Sequence, residues 1–393
     1  MKKIKDNPLM QIFILLGTIV AIILFLILDS FVIAPKRITR RNETLSNLKI
    51  PRQMDGINMM FFSDLEYGTF LKESRLETFV NAVRNTSPDI IVFGGDLYEN
   101  DAQPDEESAE ILKAALKSMK APLGKFAVLG DNDQRNDETK TAVRNILESS
   151  GFEILDNRSV LLHNMDSQSI TLVGLDNGLN GMQDIPAAYS NVSSNSYVIT
   201  VCHTPDTAGK VPADLTDYFL SGHSHGGQVY YIFGSTYTPA MATEYLRGKH
   251  NISDAFTLDI TNGVGTAVSD ERFLSNAEFV IYTLRSEAPL PTPVPSLTPE
   301  PSQETAAPAE TPVSEETQQT PAETEAAETP AEQAPAETPA EQTTEETPPA
   351  ETPVEEIPAE ETPAEETPEA QPEQTPAETG GEEASDTTEE VNG

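Results

Sequence analysis

The sequence predicts an α/β domain set between an N-terminal apolar segment and an acidic C-terminal tail. Strand-like and helix-like runs alternate through the first half of the middle region, strand-like runs dominate its second half, and the residues that could carry chemistry stand at the ends of the apolar runs. Alternation followed by a strand-rich half implies an at least partly parallel sheet. Such sheets gather ligands just beyond the carboxyl ends of their strands.

The elements follow in order. Residues 1–8 are a basic N-terminus with Lys2, Lys3 and Lys5, and Leu9 to Leu28 is a run of twenty residues without a charge. That length suffices for a membrane helix, so a single-pass anchor over residues 9–33 is expected. A cleavable signal is the rival, but the apolar core is long for one and Val32-Ile33-Ala34 is a poor cleavage site. Lys36, Arg37, Arg40 and Arg41 follow the span, which balances the charge on its two sides. The composition of the tail and the single cysteine, Cys202, favour an outward-facing domain on a bacterial membrane, and one cysteine excludes any intramolecular disulfide.

Residues 44–286 are expected to form one domain large enough for a full core. Ile57 to Ser63 reads as a buried strand, Leu71 to Arg84 as an amphipathic helix, Asp89 to Gly94 as a strand and Glu106 to Met119 as a helix. Phe126 to Leu129 is a strand and Glu138 to Glu148 a helix. Strand-like runs follow at Ser169 to Leu175, Tyr197 to Cys202, Asp217 to Leu220 and Phe279 to Leu284.

The net charge of -39 belongs mostly to the tail: residues 287–393 hold 29 acidic side chains and no Lys or Arg, which leaves 35 acids against 25 bases elsewhere. Irregular Glu-Thr-Pro-Ala-Glu units with few large apolar residues cannot bury enough surface to offset ordering entropy, so this tail is expected to be disordered. It reads as a spacer or interaction segment, or as plain solubilising low complexity. The acidity, and the lack of a basic stripe in the middle region, make nucleic acid an unexpected partner.

Two of only five histidines stand in Gly222-His223-Ser224-His225-Gly226-Gly227-Gln228, directly after an apolar run. Asp64, Asp96 and His203 stand at the ends of other runs, and carboxylates mixed with neutral imidazoles suit Zn, Mn or Fe. Each residue has a plainer reading: His203 as a satisfied core histidine, Asp96 as a turn former after two glycines. His163 and His250 fit no motif and read as ordinary polar residues.

The ordered set Asp64-x-Glu66, Gly95-Asp96, Gly130-Asp131-Asn132-Asp133, His203, Gly222-His223-x-His225 resembles the calcineurin-like metallophosphoesterase superfamily, whose pattern runs DxH, GD, GNH(D/E), H, GHxH. The text around Ser63 to Gly68, His203 to Asp206 and Gly222 to Gln228 is similar to its bacterial membrane-anchored phosphodiesterase branch. The resemblance implies a four-layer α/β sandwich, two mixed sheets flanked by helices, around two divalent metal ions. One metal would take Asp64, Glu66, Asp96 and His225, and the other Asp96 as a bridge, Asp131, His203 and His223.

Departures from the pattern matter as much as the matches. Glu66 stands where the family has histidine, and Asp131-Asn132 where it has Asn-His. Four carboxylates against two divalent cations make an anionic cage, which should raise the pKa of a water held there and admit Mn or Mg beside Fe or Zn. Asn132 can donate a hydrogen bond but not a proton, and general acid catalysis is worth about 10²- to 10⁴-fold. Asp133 is an alternative acid if Asn132 itself is the ligand. Two readings stand: a membrane-surface phosphoesterase acting on phosphate esters, diesters foremost and lipid-linked or envelope-derived among them, and a metal-stabilised relative that binds without catalysis. The loops after Asp96, near Leu175 to Ala188 and after Gln228 are expected to shape the pocket.

Overall fold

The structure is a computed structural model that describes residues 8–289 except 166 and 232. The basic start of the chain, and the tail expected to be disordered, lie outside the described residues apart from its first three positions.

In chain order the helices are α1 (Pro8–Leu28), α2 (Glu73–Arg84), α3 (Glu106–Ser118), α4 (Asp137–Ser149) and α5 (Ile185–Tyr189). The strands are β1 (Thr39–Asn47), β2 (Asn58–Phe62), β3 (Ile90–Phe93), β4 (Lys125–Ala127), β5 (Glu153–Ile154), β6 (Arg158–His163), β7 (Ser169–Gly174), β8 (Val198–Val201), β9 (Tyr218–Ser221), β10 (Tyr230–Tyr231), β11 (Gly234–Ser235), β12 (Gly248–Asn251), β13 (Thr257–Ile260) and β14 (Glu278–Ser286). The first sheet runs β1-β14-β2-β3-β4-β5 and the second β12-β13-β9-β8-β7-β6, with β10 and β11 as a separate hairpin. Each large sheet is mixed: β14 is antiparallel to β2, and β12–β13 and β6–β7 are antiparallel, among otherwise parallel pairs. The architecture is the expected mixed α/β arrangement of two sheets flanked by helices, and the parallel β2, β3 and β4 all deliver their carboxyl ends to one edge.

Side chains alternate between two cores, as the period of two in a strand requires. Met60 and Phe62, with Ile91 and Phe93, face α2, α3 and α4, where Phe79, Val83, Leu112, Leu116, Val143 and Ile146 meet them. Met59 and Phe61, with Ile90 and Val92, face the second sheet and meet Ile170, Leu172, Ile199, Val201 and Leu220. The far face of the second sheet is covered more thinly: Val198, Phe219 and Leu258 pack under α5 and the turn at Pro205–Lys210. Strands buried on both faces explain why their sequences are continuous apolar runs.

Local signals fix the helix starts. Asp105 and Ser108 form a reciprocal capping box on α3, and Asn136 and Asp184 accept the capping bonds of α4 and α5. α1 has no buried residue and, at about 1.5 Å per residue, is roughly 31 Å long, which matches a hydrocarbon core of about 30 Å. Among the described residues it is the one helix long and apolar enough to cross a membrane.

Several elements differ from expectation. β1 straddles residue 44, where the domain was expected to begin, because it pairs in parallel with β14 along its whole length from Thr39↔Glu278 to Asn47↔Ser286. Its sequence, Thr-Arg-Arg-Asn-Glu-Thr-Leu-Ser-Asn, is too polar to read as a strand, since only Leu45 is buried. β6, β12 and β13 also carry weak or mixed patterns and gain their place from their neighbours.

Candidate metal centre

Seven residues from five loops converge along the carboxyl edges of both sheets. Asp64 and Glu66 follow β2, Asp96 follows β3, Asp131 follows β4, His203 follows β8, and His223 and His225 follow β9. Asp96, Asp131, His203 and His223 form one group of donor atoms mutually within 4.8 Å, and Asp64, Glu66 and His225 form a second. Asp64 Oδ1 stands between them, 3.9 Å from His203 Nε2 and 3.7 Å from His225 Nε2. Asp96, expected as the bridge, is placed in the first group, with Oδ2 at 3.1 Å from His203 Nε2.

The backbone is bent to achieve this. Asp64, Glu66, Asp96, His223 and His225 all have φ between 51° and 70°, a left-handed conformation that costs a non-glycine residue about 1–3 kcal/mol. Five such residues in one site are held by the loops packed around them. Gly95, with φ at 99°, is one support: a Cβ there would lie 2.5 Å from Gly130 N and 2.8 Å from His203 Nδ1. Gly222 is another, since a Cβ would strike the side chains of Ser63 and Asp64.

Hydrogen bonds outside the groups orient the imidazoles. His203 Nδ1 lies 2.7 Å from Gly94 O, so it donates there and turns the Nε2 lone pair inward. His223 does the reverse: Nε2 lies 2.7 Å from Ala240 O, leaving Nδ1 to face Asp131 Oδ1 at 2.9 Å. Asp64 accepts from the His223 amide at 2.9 and 3.2 Å, which ties the first motif to the last.

These groups fit a cation. Asp131 Oδ1 and His203 Nε2 are buried and 3.3 Å apart, with His223 Nδ1 and Asp96 Oδ2 at 2.9 and 3.1 Å from them, respectively. Carboxylates and imidazoles converging at these distances in a buried site are stabilised by positive charge between them, whether protons on the imidazoles or a cation in their place. Charge in the protein alone points the same way. Burial, reinforced by Asp96 and Asp64, pushes the Glu66 carboxyl well above its usual range, and burial raises Asp96 to about 6. His203 is also raised, because Asp96 and Asp131 outweigh the burial that would lower it, whereas burial holds His225 down at about 4. Asp131 is pulled below the usual carboxylate range, with His203 and His223 outweighing its burial.

The third motif divides. Asn132 is half-buried beside Asp131: its amide nitrogen donates to Asp96 Oδ1 at 3.0 Å, and its side-chain Nδ2 donates to Glu66 Oε1 and Oε2 at 3.2 and 3.3 Å. Two of the three residues that depart from the family pattern, Glu66 and Asn132, therefore touch. Asp133 points the other way. It is fully buried, and its carboxylate accepts from the amides of Asp96, Leu97 and Gly130 at 2.8 to 2.9 Å. An acid must offer its proton outward, so the expectation of Asp133 as an alternative acid is corrected: it braces the loop after β3 against the loop after β4.

Other contributors carried no sequence signal. Asn177 is buried, donates to Gly130 O at 3.2 Å, and accepts from three successive amides of the Leu179 to Gly181 turn. Tyr237 stands edge-on to His225 at 5.8 Å between ring centres. Asn177 follows the run Ser169 to Leu175 but belongs to none of the metal-ligand motifs, and Tyr237 follows none of the strand-like runs read from the sequence. His163 and His250 lie on the edge strands β6 and β12 and join neither group.

A profile described as calcineurin-like phosphoesterase matches residues 58–227. An uncharacterized metallophosphoesterase of Bacillus subtilis, YkuE, is 28% identical over 253 residues, covering 64% of this chain and 87% of that one. The UDP-2,3-diacylglucosamine pyrophosphatase LpxG of Chlamydia trachomatis is 27% identical over 239 residues, covering 49% of this chain and 70% of that one. Among solved structures, GAP50, the anchor in the inner membrane complex of Plasmodium, aligns with a TM-score of 0.36 at 13% identity, over 57% of this chain and 80% of that one.

Proposed function

The chain carries a calcineurin-like metallophosphoesterase domain over residues 58–227, and we propose that it is a membrane-anchored hydrolase of phosphate esters that works with two divalent cations. The observation that carries this reading is the convergence of Asp64, Glu66, Asp96, Asp131, His203, His223 and His225 into two adjoining, buried donor groups. Asp96, Asp131, His203 and His223 would hold one cation, and Asp64, Glu66 and His225 the other, with Asp64 or Asp96 between them. The carboxylate-rich set takes Mn, Fe, Zn or Mg.

When bound, such a pair supplies Lewis-acid charge to phosphoryl oxygens and acidifies water at neutral pH. The protein supplies the rest. His203 and His223, locked by Gly94 O and Ala240 O, keep their other ring nitrogens aimed into the site. Asn132 stands at the more open end, next to Asp131, whose side chain keeps 17% exposure while those of Asp64, Glu66, Asp96, His203, His223 and His225 are at 5% or less. Its amide can donate a hydrogen bond to a phosphoryl or leaving oxygen but cannot protonate it. The favoured substrates are therefore those whose leaving group departs without a proton, such as activated diesters or a diphosphate linkage. The named substrate of the Chlamydia relative is a diphosphate bearing two acyl chains, which supports a lipid-linked substrate within reach of α1. The domain is proposed to face outward, and protease added to intact cells would then remove it without lysis.

The decisive experiment uses the full chain in detergent, a nitrophenyl phosphodiester, and Mn, Mg, Zn or Fe supplied singly, beside an Asp96→Ala variant. Metal-dependent turnover that the variant loses supports the proposal. Two bound ions with no turnover under any metal overturns it in favour of a relative that binds without catalysis.

A further inference from the structure

We propose that the loops leaving the metal site, Gln228 to Ser235 and Gly263 to Leu274, dip into the membrane crossed by α1 and seat the site's rim at the lipid surface. The occupant of this apolar face is the headgroup and upper acyl region of that same bilayer.

Four side chains on these loops point large apolar surface at solvent: Phe233 is 95% exposed, Val268 81%, Leu274 64% and Tyr231 48%. The loops are tied to each other and to the helix end. Tyr230 N donates to Phe273 O, Phe273 N to Gln228 O, and Gln228 Nε2 to Ala267 O and Ser269 O. Arg272 N donates to Ser30 O, just past α1, and Arg75 binds both Pro35 O and Asp270. Tyr231 and Phe273, their rings 5.9 Å apart, share a groove with Ile23, Leu26 and Ile27 of the helix.

Depth follows from helix geometry. Ile23 lies five residues before Leu28, so about 7.5 Å inside the end of the apolar helix at 1.5 Å per residue. The groove runs from Ile23 to Ser30 and Phe31, just past the helix, and Glu271 also lines it, so Tyr231 and Phe273 sit at the level of the last turns of α1. Burial of about 5–10 Å is the usual seat of an interfacial apolar face. Charge agrees: Lys36, Arg37 and Arg40, all exposed, follow the helix where long cations reach anionic headgroups while their stems stay apolar.

The same segments hold the metal site. Gln228 lies three residues after His225, Val264 N donates to Ser63 O, and Gly265 N to Asp64 O. Seating the loops thus fixes the height of the donor groups over the bilayer. That consequence for substrate access rests on the proposed hydrolysis, whereas the seating itself rests only on the proposed membrane anchor.

The chain has no tryptophan, so one introduced residue reports alone. The full chain would be reconstituted in vesicles of phosphatidylcholine and phosphatidylglycerol with brominated acyl chains, carrying Phe233→Trp or, on β6, Leu161→Trp. Both positions are exposed, so neither change disturbs packing. Tryptophan at 233, seated at the depth of an interfacial apolar face, should be blue-shifted and quenched by the brominated chains, while that at 161 stays unquenched. Quenching at 233 no greater than at 161 overturns the proposal. The readout needs no turnover, and activity of Phe233→Trp on the soluble phosphodiester separately reports whether the hydrolase reading holds.

Discussion

If the chain is the proposed hydrolase, Glu66 and Asn132 are the residues on which its catalysis turns, since they act as a pair. The Asn132 amide donates to both oxygens of Glu66, so these two departures from the family pattern partner each other. Coupled residues are not additive. Asn132→His alone should disturb Glu66 and give little or no gain, whereas Glu66→His with Asn132→His restores both imidazoles. On a phenyl phosphodiester, whose leaving group needs a proton, the double variant should turn over about 10²-fold faster or more; equal gains from the single and double variants would contradict the coupling. A second residue-scale prediction concerns protons. Burial raises Asp96 to about 6, and Glu66 and His203 are raised with it, so as pH falls through about 6 Asp96 takes up a proton that a cation must displace. Metal affinity should therefore fall as pH drops from about 7 to 5. Calorimetry of the full chain with Mn in two buffers of different ionisation enthalpy counts the protons released, and none released at pH 6 would refute the assignment.

At the scale of elements, the site is a product of loops held in unfavourable backbone. Asp133 accepts three amide bonds that join the Asp96 loop to the Gly130 turn. Asp133→Asn keeps the shape but puts a donor where acceptors are needed, leaving a buried amide unmatched at a cost of about 1–3 kcal/mol. The variant should unfold at lower urea and bind metal more weakly, with thermal stability and metal content measured together; an unchanged midpoint would refute the brace. Much of this tier was legible in sequence, because Asp64, Asp96, His203 and His223 each close an apolar run that folds as a buried strand. Glu66 and Asn132 could be placed by spacing, but not seen to touch. Asp133 could not be assigned a direction at all, since whether a loop side chain points inward depends on which amides the opposite loop leaves unpaired.

For the whole molecule, the segment after α1 fastens the two sheets together. Arg41 on β1 reaches Asp259 on β13 at 2.9 Å, Glu278 on β14 at 3.2 Å and Glu43 at 3.0 Å. Asp259 is fully buried and also accepts from the hydroxyls of Tyr218 and Tyr282. Arg41→Ala strands that carboxylate, which costs about 3–5 kcal/mol for a buried pair, and a chain begun at residue 44 should show the same loss. Denaturant midpoints of the two against the full chain test this; a full-strength domain from residue 44 would show that β1 is dispensable. Arg272 extends the linkage to the site: fully buried, it donates to Asn262 O, Gly263 O, Gly265 O and Ser275 O while its amide holds Ser30 O.

Sequence alone determined the α/β class, the apolar helix, the charge division and the set of residues able to bind metal, because strands buried on both faces are written as apolar runs and β2, β3, β4, β8 and β9 end at one edge. Tertiary structure alone decided that polar β1 is a strand, that Asp64 stands between two donor groups, and that Asn132 serves Glu66 while Asp133 turns away. It also set the site's loops against the last turns of α1. Each of these rests at least in part on partners more than thirty residues distant in the chain, and the reward for such contacts is fixed by packing and hydrogen bonding that no local pattern encodes.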